Sequence, residues 1–114
     1  MPPLPPPPVP QKLREMLRDY PEHIQTLQDD LNDVVAKPFK GTPMFEQAIW
    51  ALEGALEAFI DEARDELQAA EASGDPVAIE RAKAKDFVMG STRMNMGGMP
   101  DLWDYLETQK EAFE

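Results

Sequence analysis

Residues 42–88 read "TPMFEQAIWALEGALEAFIDEARDELQAAEASGDPVAIERAKAKDFV". Phe45, Ile49, Leu52, Leu56, Phe59, Ile60, Ala63 and Leu67 return at steps of mostly three and four, which places them on one face of a helix. Beside them runs a second stripe of small residues, Ala48, Ala51, Ala55 and Ala58. A helix with one large and one small apolar stripe touches two neighbours, so it sits centrally. Thr42 reads as its N-cap and Pro43 as its first helical position. About thirty residues from 43 to 72, at 1.5 Å rise each, give a rod of roughly 45 Å.

The pentapeptide "ASGDP" at 72–76 ends this rod and starts another. Gly74 suits the left-handed residue after a helix, Asp75 suits an N-cap, and Pro76 suits the first turn. The return helix, 76 to about 88, runs antiparallel and brings Arg81 and Lys85 opposite Glu62 and Glu66.

Upstream, Leu13, Leu17, Tyr20, Ile24, Leu27, Leu31 and Val34 form a heptad stripe. Pro21 interrupts it, since proline inside a helix removes a hydrogen bond and clashes with the preceding turn. The residues favour a break or a sharp kink at Pro21, with helices at 11–20 and 22–36 and Asp19 as the candidate cap of the second. "AKPFKGTP" at 36–43 is a loop. Downstream, the glycines and proline of "MGSTRMNMGGMP" at 89–100 read as another loop. Asp101 then caps a last helix, 101–113, with Leu102, Leu106 and Phe113 on one side and Trp103 and Tyr105 adjacent. The expected fold is all-α: a small helical bundle at 11–114, built on the long central helix and its antiparallel hairpin. An extended proline-rich segment at 1–10 precedes it.

Seven of the first ten residues are proline, which dictates a polyproline II conformation. Three roles suit such a head. It is a stiff spacer, a ligand for an aromatic-lined groove through its P-x-x-P frames, or a strap packed on the bundle through Leu4 and Val9. Strap and spacer rank above ligand, because any proline-dense run contains P-x-x-P.

The 114 residues suffice for one domain, and their 22 acids against 11 bases leave a net charge of −11. Nucleic acid and anionic membranes should repel such a chain, and a charged partner should be basic. No cysteine is present, which excludes disulfides, thiolate metal sites and thiol nucleophiles. With no apolar segment of membrane-spanning length and no export signal, the expected location is cytoplasmic.

The single histidine, His23, lies beside Glu22 on a predicted first turn and reads as a solvated residue rather than a catalytic one. No metal or cofactor motif is present. Met94, Met96 and Met99 offer soft ligands spaced for copper(I), but they suit an adaptable binding loop better. Residues 41–75 hold nine acids and one base, Arg64. Within them Glu53, Glu57, Asp61 and Asp65 follow at four-residue steps, so like charges stack along one ridge. Trp50 shares that side with Glu46, Glu53 and Glu57. It is covered by a terminal segment, or else it anchors an interface.

These features lead to a non-catalytic protein–protein interaction module, an adaptor or regulator. The candidate contact residues are Trp50, Glu46, Glu53, Glu57, Asp61, Met94, Met96, Met99 and Trp103. Self-association through helices 11–36 and 43–72 is a further expectation. The alternative is an acidic inhibitor of a basic or nucleic-acid-binding target, of the antitoxin, immunity or nucleic-acid-mimic kind.

Overall fold

In the computed structural model, residues 7–37, 41–97 and 99–108 are described. Five helices follow in order: α1 (Gln11–Met16), α2 (Pro21–Ala36), α3 (Met44–Ser73), α4 (Pro76–Met94) and α5 (Pro100–Thr108). No strand occurs among the described residues. The fold is the all-α bundle on one long helix that the apolar periodicities require.

The α3–α4 hairpin is set by local chemistry. Gly74 takes φ 72°, ψ 8°, and its N–H bonds back to the carbonyls of Ala70 and Glu71. An L side chain is strained there, which is why glycine ends this helix. The Asp75 carboxylate accepts a hydrogen bond from the Val77 N–H at 3.0 Å and caps α4, with Pro76 in its first turn. Lys85 of α4 then reaches Glu66 at 2.9 Å and Glu62 at 3.4 Å on α3. Burial disfavours the charged form of this lysine. The hydrogen bond and charge of Glu66, aided by Glu62, outweigh that effect and raise its pKa above the ordinary lysine value.

α2 runs antiparallel to α3 and lies along the same hairpin. The upstream heptad is spent inside the chain: Leu13, Leu17, Leu27 and Leu31 are fully buried, as are Leu52 and Leu56 facing them. In the same stripes Tyr20, Ile24, Val34, Ile49 and Ile60 keep part of their surface. Pro21 does separate two helices, but Tyr20 is the residue before the helix, and its side chain makes no capping bond. Asp19 is exposed and caps nothing. Helix α1 stops at Met16, four residues short of the expected end, because Leu17, Arg18 and Asp19 form a turn that reverses the chain.

Two other predicted caps differ. Pro43 itself occupies the position before α3, so Thr42 is not the cap. α5 starts at Pro100, and Asp101 accepts from the Gln11 N–H at 2.8 Å, tying α1 to α5. The expected helix end at 109–113, with Phe113, lies outside the described residues.

The predicted loop at 89–100 is mostly helix: α4 continues through Gly90, Ser91 and Thr92 to Met94. Burial overrides weak local propensity here. Met89 and Thr92 are completely buried, and the Thr92 hydroxyl donates to the Val88 carbonyl at 2.7 Å, which satisfies it inside the core.

The head is a strap over residues 7–10. Pro7, Val9 and Pro10 are buried. Gln28 of α2 clamps them with both ends of its amide: Val9 N–H donates to Oε1 at 3.1 Å, and Nε2 donates to the Pro7 carbonyl at 3.0 Å. Lys12 adds a bond to the Gly97 carbonyl at 2.9 Å. Leu4 lies outside the described residues.

The molecule measures 55 × 22 × 22 Å with a radius of gyration of 16.3 Å, against about 13 Å for a compact domain of this length. The excess is the α3–α4 hairpin, which continues beyond the start of α2. Past Tyr20 the hairpin leaves an open groove of about 710 Å³ lined by Ala69, Ala70, Ala78, Ala82 and Arg81. No described helix is long and apolar enough to cross a membrane.

Candidate functional site: an acidic ridge with exposed apolar side chains

Helix periodicity sorts the residues of α3 between core and solvent. Ala48, Leu52, Ala55, Leu56, Phe59 and Ala63 face inward and are buried. The opposite side carries Glu46, Trp50, Glu57 and Asp61, all exposed, with Glu53 partly covered at its margin. Trp50 keeps 57 % of its surface exposed. Among the described residues, α5 and the strap lie elsewhere. Trp103 of α5 packs edge-on against Phe45, with ring centroids 5.0 Å apart and planes at 84°, and the strap lies on α2. An indole left this open among carboxylates has an apolar face and an N–H donor available to a partner.

The ridge is not a plain row of negative charge. Arg93, from the unexpected last turn of α4, crosses to Glu53 at 3.9 Å and Glu57 at 3.6 Å. Its Nε is buried and has no hydrogen-bond partner among the described residues, because 3.6 Å exceeds hydrogen-bond range. The contact is therefore a loose ion pair, worth at most about 1 kcal/mol at this exposure. Glu46 and Asp61, at the two ends, make no ion pair among the described residues. Arg93 was legible as a cation, but only the continuation of α4 assigns it to this ridge.

The three methionines part company. Met94 ends α4 with 86 % of its surface exposed, whereas Met96 and Met99 are buried at 4 % and 2 %. They plug the core beside Leu102 and Leu106. The expected mobile methionine surface is thus reduced to Met94, because methionine's flexible chain fills an irregular gap under α5. Trp103 remains 47 % exposed despite its contact with Phe45.

His23 corrects another expectation. It is buried, not solvated: its ring stacks on Phe59 at 4.1 Å with planes 9° apart, and Tyr20 lies 6.0 Å away on a near-parallel plane. Its Nε2 has no hydrogen-bond partner among the described residues. The imidazole acts here as a flat packing element between α2 and α3.

Phe87 was missed altogether. It stands on the outside of α4 with 74 % of its surface exposed. The signal was present in the sequence, as seven-residue spacings from Val77 to Ala84 and from Phe87 to Met94. The stripe is continuous only because α4 extends past Val88 to Met94.

Comparison of the chain with protein-family models, with curated proteins and with solved structures finds no match.

Proposed function

We propose that this chain is a non-catalytic, acidic protein-interaction module whose contact surface is Trp50 with the carboxylates that flank it on α3. The exposure of Trp50 carries this reading. Nearly every other large apolar side chain of α3 is in the core or packed against it, while this one stands in solvent between Glu46 and Glu53. Large aromatic anchors with charged rims are the usual centre of protein interfaces. The rim favours a basic partner, with an apolar side chain to seat on the indole. Stacking of the only histidine in the core also fits a non-catalytic role. The absence of cysteine suits a reducing compartment, and we place the module in the cytoplasm.

The alternative, an acidic inhibitor that imitates nucleic acid, needs an unbroken row of carboxylates. Arg93 interrupts that row at Glu53 and Glu57, which weighs against it. The test is binding of a basic amphipathic peptide. The module reading expects saturable binding that Trp50→Ala weakens at least tenfold without loss of helicity. Affinity falling by roughly a thousandfold between about 50 and 200 mM salt would support the mimic instead.

A further inference from the structure

The outer face of α4 is unpartnered, and it carries three of the five most exposed large apolar side chains among the described residues. Val77, Phe87 and Met94 are 58, 74 and 86 % exposed. With Glu80, Ala84 and Ser91 they form a series at steps of three and four, directly opposite the buried Ala82 and Met89. Such a stripe is the seam of a helix that packs lengthwise on another. Among the described residues nothing covers it, since α3 and α1 lie against other sides of α4.

We infer that this face pairs with the same face of a second copy, antiparallel, about a two-fold axis level with Lys85 and Asp86. The stripe is self-complementary in that register. Phe87 of each copy meets the small Ala84 of the other, Met94 meets Val77, and Glu80 meets the Ser91 hydroxyl. A parallel pairing would instead set Phe87 on Phe87 and Glu80 on Glu80, which combines a steric conflict with a like-charge contact.

Charge selects the same face. A chain of net charge −11 repels its own copies on most surfaces. α3 has eight acids against one base, α2 four acids and no lysine or arginine, and α5 three acids and no base. α4 has four bases against two acids, and with Lys85 and Arg93 turned to the carboxylates of α3 it still keeps Arg81 and Lys83 against Glu80 and Asp86, a balance that no other long helix has. The stripe itself holds one acid, Glu80, bordered by Lys83. It is the long apolar surface on which two copies approach with least repulsion.

The contact extends over one helix of 19 residues, about 28 Å. That is at the small end of specific interfaces, so the dimer is a weak, reversible one. The proposal is independent of the Trp50 surface, which lies on α3.

Sedimentation equilibrium of the full chain across about 1 to 500 µM tests it. The expected result is a monomer–dimer equilibrium that Phe87→Glu weakens at least tenfold, with unchanged helicity, while Trp50→Ala leaves it intact. Because Phe87 is exposed within one chain, the charged variant retains the monomer fold. Orientation is read by mixing Glu80→Cys with Ser91→Cys under mild oxidation. The expected product is the mixed disulfide. A monomer at every concentration overturns the proposal. So does a Phe87→Glu variant that dimerises like its parent, a loss of dimer in Trp50→Ala, or a disulfide-linked homodimer of Glu80→Cys.

Discussion

Replacement of Val9 by alanine measures how firmly the strap is held. Val9 retains only 2 % of its surface and belongs to the main core cluster with Leu13, Leu17, Leu27 and Leu31. The substitution removes two carbons' worth of buried apolar surface at about 0.8 kcal/mol each. A cavity term adds to this, since Gln28 holds the backbone at Val9 N–H and Pro7 C=O and limits collapse. The expected destabilisation is about 2 kcal/mol. At this chain length that lowers the melting temperature by roughly 8 °C. Urea denaturation followed by far-ultraviolet circular dichroism measures the free energy, and a thermal scan gives the second number. The midpoint should fall with the slope unchanged. Val9→Ala and Gln28→Ala should also couple, because both act on the same clamp. A Val9→Ala chain within about 0.5 kcal/mol of the parent would refute the strap, and residues 7–10 would then be a spacer resting on the bundle.

Other perturbations have defined directions. Gly74→Ala puts a Cβ on a left-handed residue and should cost about 1–2 kcal/mol in the same denaturation assay; an unchanged midpoint would show that the turn relaxes to negative φ. Asp30 sits among Asp29 and Asp33, and burial followed by those two charges raises its pKa. A raised acid stabilises the fold most at low pH and least once ionised, so Asp30→Asn should gain a few tenths of a kcal/mol at neutral pH. That gain should vanish as pH falls through the carboxylate range, and a neutral-pH loss would contradict the assignment. Lys85→Met should cost up to about 1 kcal/mol at pH 7 by unpairing Glu62 and Glu66. Because the Lys85 pKa is raised, its contribution is complete below the ordinary lysine range and declines as pH rises through and above it. Equal losses for Lys85→Met at pH 7 and pH 12 would argue that only the stem's packing matters. His23→Phe keeps the stack on Phe59 and removes the unsatisfied Nε2, so stability should hold or rise; a loss above about 2 kcal/mol would point to a hydrogen bond at that ring.

The hairpin was legible because its punctuation is unambiguous. Gly74, Asp75 and Pro76 each admit few backbone conformations, and together they specify one turn. The buried leucines were legible because period and burial coincide over many turns. What escaped were sites where tertiary burial outweighs propensity. Gly90, Ser91 and Thr92 are weak helix formers, yet Met89 and Thr92 are drawn inside and carry the helix onward. That error hid Arg93 from the acidic ridge and gave Met96 and Met99 a surface role they do not have. His23 escaped for the complementary reason: one residue's polarity says little about a ring that stacks on Phe59 with Tyr20 close by. The Trp50 side of α3 was legible from helical phase alone, since residues 46, 50, 53 and 57 share one edge whatever the chain packs against it.

The most direct test of the Trp50 surface is tryptophan fluorescence of a Trp103→Phe chain, in which Trp50 is the sole indole. It would be titrated with a basic amphipathic helical peptide at physiological salt. An indole more than half exposed should emit as a solvated one in the free chain. Binding should shift that emission to shorter wavelength along a saturable curve. An acidic peptide of the same apolar pattern should leave it unchanged. Emission that is unaffected by the basic peptide up to about 1 mM, beyond the weakest specific affinities, would contradict the assignment of Trp50 as the anchor.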